Sequence, residues 1–286
     1  MRLSGLLAHC RREMARVPDA AFFEAEIFVS HVTGVPRALL FLSGDADSGD
    51  APARLAPLLE RRAAGEPLQY VLGKWEFYGR EFLLTRDTLI PRPETEGLVE
   101  RALAALRRKG AAPVRALDVG TGSGAIAVTL AAELPGVRVV ATDVSAGALR
   151  TARGNAMRLG AASRVAFIRC DAYSALKCGD RFDVVVSNPP YVADGEWSSL
   201  PPAVRDFEPP GALLGGPDGL SVLRRLVAGG DGVLAPGGEL WCEIGASQGA
   251  AAASLPSGAL KFLGVHRDLA GRDRYAGWAK PAQQER

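Results

Sequence analysis

The sequence predicts a doubly wound, mostly parallel α/β sheet, preceded by a helical bundle and a β-hairpin linker. Three observations predict it. From residue 113 onward, short strand-like runs alternate with helical segments. A glycine-rich turn, GTGSG at 120–124, joins the first such run to the first such helix. The first 67 residues carry only helix-period patterning.

Composition bounds the answer. At roughly 150 residues per domain, a chain of 286 residues suggests about two domains. With 48% hydrophobic and 23% charged residues, it resembles an ordinary globular protein and needs no disulfide or metal to fold. Charge is nearly balanced, 34 basic against 32 acidic side chains. Residues 1–110 carry 16 and 15, and the remainder 18 and 17, so no region has the basic excess of a protein held by phosphate contacts. Direct nucleic-acid binding is therefore not expected, and no stretch reads as a membrane span.

Metal binding is not expected either. Cys10, Cys170, Cys178 and Cys242 form no CxxC pair, and His9, His31 and His266 form no ligand spacing. The apolar run at 6–8 is too short for a signal peptide and soon meets Arg11, Arg12 and Glu13. Unpatterned cysteines suit a reducing, cytoplasmic setting.

In chain order, Leu3, Leu6, Leu7 and Cys10 recur at helical spacing. A second helix follows Pro18 and Asp19 and ends near Gly34, carrying Phe22, Phe23, Ile27 and Val29. Leu55, Leu58 and Leu59 mark a third, which stops at the Gly65, Glu66, Pro67 break. Residues 43–50 are a polar loop. Residues 68–90 turn aromatic and β-leaning around glycines, as in a hairpin. The expected partition is thus 1–67 helical, 68–90 hairpin linker and 91–286 α/β. Within the last part, a helix is expected over 97–108. Strands are expected at 114–119, 138–142, 165–169, 182–187 and 239–243, with helices at 124–133, 146–159 and 219–228.

Two loops carry chemistry. Gly120, Thr121, Gly122, Ser123 and Gly124 form a turn whose backbone can approach a ligand closely, ahead of the unpaired N–H groups of a helix start. Asp143 closes the next strand, where a carboxylate can accept both hydroxyls of a ribose. This pair suits a dinucleotide or S-adenosylmethionine equally. Asn188, Pro189, Pro190 and Tyr191 then follow a buried-looking strand. The prolines fix φ and remove two N–H donors, leaving a stiff loop rich in acceptors. A planar –NH2 group offers two donors, which Asn188 Oδ1 and the Pro189 carbonyl can take while Tyr191 lies against its face. Such a loop serves methyl transfer to an amide or ring amine, and has no use in hydride transfer.

The chain resembles the HemK family of protein-(glutamine-N5) methyltransferases. The resemblance spans nearly its whole length. It rests on PLQYVLG (67–73), IPRPETE (90–96), DVGTGSG (118–124), NPPY (188–191), FEP (207–209) and DGL (218–220). The NPPY signature alone is shared with enzymes that methylate exocyclic amines of nucleobases, adenine N6 or guanine N2, which is the alternative function. The 90–96 segment with the hairpin and helical domain is more family-specific.

The resemblance implies a Rossmann-like class I methyltransferase fold and S-adenosylmethionine as cofactor. It implies methylation of the glutamine in the GGQ motif of class I peptide chain release factors, docked by the helical domain. It further implies that Gly120 to Gly124 wrap the methionine and ribose, that Asp143 binds the ribose, and that Asp171 accepts from the adenine amine. Asn188 to Tyr191 would hold the glutamine amide, with Asn188 also near the cofactor. Family members often carry a bulky aromatic where this chain has Ala172, leaving adenine support to a backbone contact or to Tyr173. Arg92 reads equally as a pocket wall or as a surface residue paired with Glu94 or Glu96. Trp75, Phe77 and Tyr78 read as hairpin core, and Glu243 to Gly245 as a structural strand end.

Overall fold

In a computed structural model, residues 1–282 are described, apart from 19, 111, 112 and 178. Asp19 and Cys178, both named above, therefore lie outside the described residues. The chain divides into two compact units, one of residues 1–74 with 201–207, the other of 75–200 with 208–286.

The first unit is helical: α1 (Leu3–Met14), α2 (Glu24–Thr33), α3 (Ala51–Ala63) and a short α4 (Leu68–Leu72). Residues 70–72, expected to lean toward strand, instead form α4, because Pro67 starts a turn of helix and Gly73 ends it at φ +70°. The apolar stripes of α1, α2 and α3 bury Leu3, Leu6, Leu7, Cys10, Phe28, Val29, Val32, Leu55 and Leu59. A buried ion pair crosses this core. Arg62 donates to both oxygens of Glu24, at 2.7 and 3.2 Å, with both side chains buried. A bidentate pair of this kind ties α3 to α2.

The second unit, from Trp75, opens with a hairpin whose strands are β1 (Lys74–Phe77, its first residue assigned to the first unit) and β2 (Arg80–Leu83). Its two turn residues, Tyr78 and Gly79, have φ +51° and +67°. That is the turn whose twist matches a hairpin. Glu96 accepts the Tyr78 N–H at 2.7 Å and Glu100 accepts its hydroxyl, which holds a non-glycine residue in the left-handed region. Phe77 and Phe82 are buried edge to face, as expected of hairpin core.

The helix α5 (Glu94–Arg107) leads into β3 (Val114–Val119), α6 (Ala125–Glu133), β4 (Val137–Asp143), α7 (Ala146–Arg158), β5 (Val165–Arg169) and β6 (Phe182–Ser187). After a short α8 (Pro202–Arg205) come α9 (Ser221–Val233), β7 (Leu234–Glu243), α10 (Gly249–Ala253), β8 (Lys261–Arg267) and β9 (Asp273–Ala279). Seven strands form one sheet in the order β5-β4-β3-β6-β7-β9-β8. The β3–β7 pairings are parallel, and β9 runs antiparallel to β7 and β8. The sheet is buried on both faces. Val184 and Val186 pack with the core that includes α5 and α6, while Val185 packs with the core that includes α9.

The expected strands and helices are present, with shifted ends. The strands β8 and β9 were not expected. Gly264 and Gly277 interrupt their β-like patterning. Yet Gly277 is what lets β9 pair here, since a Cβ on it would lie 2.6 Å from the Trp241 ring.

A similar close approach fixes α5. A Cβ on Gly97 would lie 2.2 Å from the Tyr275 hydroxyl, which donates to the Glu94 carbonyl at 2.6 Å. Gly97→Ala should therefore lower stability by about 1–3 kcal/mol through overpacking, despite alanine's better helix propensity. A thermal melt checks this, with a loss of several degrees expected.

Candidate active site

The strand order reverses between β3 and β6, and ligands in such sheets bind beyond the carboxyl ends of the strands at that point. There a cavity of about 350 Å³ lies within the second unit. Its lining includes Gly120, Thr121, Gly122 and Ser123 after β3, Asp143 after β4, Asp171 and Ala172 after β5, and Asn188, Pro189 and Pro190 after β6.

The glycine turn is built from below. The N–H groups of Gly120 and Thr121 both donate to the Thr142 carbonyl at 2.9 Å. Asp118 Oδ2 accepts from the Thr121 hydroxyl at 2.6 Å and from the Ala127 N–H at 3.1 Å, anchoring the turn to α6. Gly120 and Gly122 take φ +74° and +55°, and nothing lies within 4 Å of a Cβ on either. Added side chains would be strained and would occupy open space beside the cavity. Gly124, at φ +83°, does not line the cavity, and a Cβ there would also meet Ala152 at 3.1 Å. It lets α6 pack closely on α7.

Asp143 accepts one backbone N–H on each oxygen, from Gly122 at 2.9 Å and Ser145 at 2.8 Å. Each oxygen keeps acceptor capacity. Burial raises its pKa, and these backbone donors counter the rise. Asp171 is exposed, and Arg225 donates to one of its oxygens at 2.7 Å. Ala172 sits at φ +49° and presents little side chain. Tyr173 turns away from the cavity, its hydroxyl donating to the Leu226 carbonyl at 3.0 Å, so it does not replace an aromatic at 172.

Asn188 lines the cavity and donates through Nδ2 to the Thr95 hydroxyl at 3.1 Å. Thr95 in turn donates to Glu243 Oε2 at 2.8 Å. Tyr191 does not line the cavity. Burial, then the Glu243 carboxylate, pushes its phenol up to about 12, so it stays neutral at ordinary pH. Its carbonyl accepts from Gln248 Nε2 at 2.9 Å. Gly215 and Gly219 press against the same loop. A Cβ on the first would lie 2.6 Å from the Pro190 carbonyl oxygen, and one on the second 2.2 Å from that of Tyr191.

The Arg92 guanidinium pairs with Glu208, not with Glu94 or Glu96. Glu94 instead meets Arg272. The buried Glu208 also accepts the Ile90 N–H at 3.1 Å. This one carboxylate thus holds the loop whose Pro91 lines the cavity beside Pro209. The sequence assigns no role to Thr95, Glu208, Gly215, Gly219 or Gln248, and reads Glu243 only as a structural strand end. Thr95, Glu208 and Gly219 stand in the quoted motifs and Gly215 and Gln248 in none, and the contacts join segments up to 148 residues apart.

Burial pushes both Asp118 and Glu243 up to about 7, from ordinary values of 3.8 and 4.5. The folded state then holds more protons than the unfolded chain between roughly pH 4 and pH 7, so stability contributed by these groups falls as pH rises through that window. Urea melts from pH 5 to pH 8 should show that decline, and Glu243→Gln should reduce it to the part due to Asp118.

Residues 99–202 match the family model for the methyltransferase small domain, and residues 5–73 that for the PrmC N-terminal domain. A release factor glutamine methyltransferase of Nitratidesulfovibrio vulgaris is 45% identical, covering 96% of this chain and 93% of that protein. That of Bordetella pertussis is 47% identical, covering 93% and 97%. Among solved structures, a 16S rRNA N2 methyltransferase of T. thermophilus aligns with a TM-score of 0.50 at 19% identity, covering 73% of this chain and 50% of that one. That likeness concerns the fold alone. The two relatives extend over both units at once, from the helices through NPPY to the last strands, and on that extent and identity the chain belongs to the release factor glutamine methyltransferase family.

Proposed function

We propose that this protein transfers a methyl group from S-adenosylmethionine to the side-chain amide nitrogen, N5, of the glutamine in the GGQ motif of class I release factors. The observation that carries this reading is the shared cavity: the carboxylate of Asp143 and the acceptor corner at Asn188 and Pro189 line one space.

The residues suit the cofactor. The open cradle at Gly120 and Gly122 admits a ligand against bare backbone, and Asp143 retains acceptor capacity for two ribose hydroxyls. Asp171 has one carboxylate oxygen not engaged by Arg225 for the adenine amine, and Ala172 offers backbone only. Bound there, S-adenosylmethionine supplies a methyl on a cationic sulfur that leaves as a neutral thioether. No acid is needed to expel it.

An amide nitrogen is a poor nucleophile because its lone pair is delocalised into the carbonyl. Asn188 Oδ1 and the Pro189 carbonyl would accept hydrogen bonds from its two hydrogens and favour rehybridisation, aiming the lone pair at the methyl. As the N–C bond forms and the S–C bond breaks, one of those hydrogens leaves as a proton to solvent. The rate gain comes from orientation and a preorganised set of acceptors. Tyr191, whose ring does not line the cavity, serves by holding the loop through the carbonyl that Gln248 grips.

The helical unit would dock the release factor, and near-neutral charge suits a protein partner. Among the described residues no helix is long and apolar enough to cross a membrane. Free thiols at Cys10, Cys170 and Cys242 support a cytoplasmic setting.

Incubation with methyl-labelled cofactor and a release factor tests the reading. A mass spectrum should place one added methyl on the motif glutamine, and replacing that glutamine should abolish labelling. Label that persists after that replacement, or that appears on RNA or DNA bases and not on release factor, overturns it.

A further inference from the structure

A carboxamide has two nearly isosteric ends, and only one of them can do the work assigned to Asn188. If the amide turned over, its –NH2 would face the hydrogens of the substrate amide. Resting on the function proposed above, we infer that Thr95, held by Glu243, is a positioning residue that fixes which end of Asn188 faces the cavity.

The geometry is a chain of three groups. Glu243 ends β7 and is buried, Thr95 lies in the first turn of α5 and is buried, and Asn188 follows β6. Thr95 Oγ1 stands 2.8 Å from Glu243 Oε2 and 3.1 Å from Asn188 Nδ2. A hydroxyl has one proton to give. An ionised carboxylate accepts only, so that proton goes to Glu243 and the hydroxyl faces Asn188 with lone pairs. The Asn188 atom beside Thr95 must then be the donor, Nδ2. This follows from the donor inventory alone. Oδ1 is thereby turned to the other side, and among the described residues nothing donates to it.

The burial of Glu243 adds to the argument. Its Oε1 has no hydrogen-bond partner among the described residues, and a carboxylate so poorly satisfied is a costly residue to keep in a core. A merely structural hydroxyl partner for Thr95 would not require one. A strict acceptor does what a neutral amide would not, because a neutral amide could give its own hydrogen to Thr95 and let the hydroxyl turn toward Asn188.

The test compares Thr95→Val, Thr95→Ser, Asn188→Ala and the Thr95→Val/Asn188→Ala double variant at pH 8, where Glu243 is ionised. Thr95→Val keeps shape and removes the hydroxyl. Its kcat should fall about tenfold, the worth of one lost orienting hydrogen bond. The KM for release factor and the Kd for cofactor, read by calorimetry, should stay within about twofold. Thr95→Ser should recover most of the rate. Adding Thr95→Val to Asn188→Ala should cost nothing further, because no amide remains to orient. A Thr95→Val kcat within twofold of the parent, or an equal loss in both backgrounds, overturns the inference. If Asn188→Ala itself turns over normally, it is the acceptor assignment that fails.

Discussion

Asn188→Ala should cut kcat by about 10²- to 10³-fold while leaving the cofactor Kd within about threefold of the parent. The magnitude is that of deleting one preorganised polar partner from a reacting centre. The direction follows from placement. Asn188 lines the cavity at the end of β6 with its nitrogen committed to Thr95, and in the proposed role its free oxygen accepts from the substrate amide. Alanine leaves the two prolines in place, so the loop keeps its shape and the loss is chemical. The KM for release factor should change little, since one side-chain contact is a small part of a protein interface. Single-turnover rates at saturating cofactor read the chemical step directly. A variant that binds cofactor poorly but turns over at the parent rate once saturated would move Asn188 out of the acceptor role.

Asn188 was legible in the sequence because its meaning is local. Two prolines remove donors and fix φ wherever they stand, and the strand before them places the loop at the sheet edge. Gly120 and Gly122 were legible for the same reason. Gly124 is legible on the same local ground, its φ of +83°, but its close packing against Ala152, set by how α7 lies on α6, is not. Ala172 and Tyr173 show the same limit: neighbours in sequence, one borders the cavity and the other turns to Leu226. The pairings of Arg92 with Glu208 and of Thr95 with Glu243 were out of reach, since each joins a loop or helix start to a segment more than a hundred residues away. The antiparallel end of the sheet escaped because its glycines, read by propensity, argue against strand, and only the ring of Trp241 explains Gly277.

Asp143→Asn, nominally the mildest change at that position, should weaken cofactor binding by roughly 10²-fold and spare kcat at saturating cofactor. Both Asp143 oxygens already accept a backbone N–H, from Gly122 and from Ser145. An asparagine has only one oxygen, so its –NH2 must confront one of those two N–H groups whichever way it is turned. The turn at Gly122 then loosens, or the amide rotates out of the site. In either case one ribose hydroxyl loses a charged acceptor, a contact of about 1.5–3 kcal/mol, which alone spans roughly 10- to 10²-fold in affinity. The pH dependence has a definite sign. Burial raises the Asp143 pKa in the free protein, and two hydroxyl donors would lower it in the complex. Cofactor binding therefore releases a proton where the free carboxyl is partly protonated, and affinity rises with pH through that range. Calorimetric titration of both proteins from about pH 4 upward, starting at the ordinary carboxyl value, separates the effects: the parent should gain affinity as pH rises, and Asp143→Asn should lose that slope. A slope that survives the substitution would place the titrating group elsewhere, and an unchanged Kd with a collapsed kcat would take the ribose contact away from Asp143.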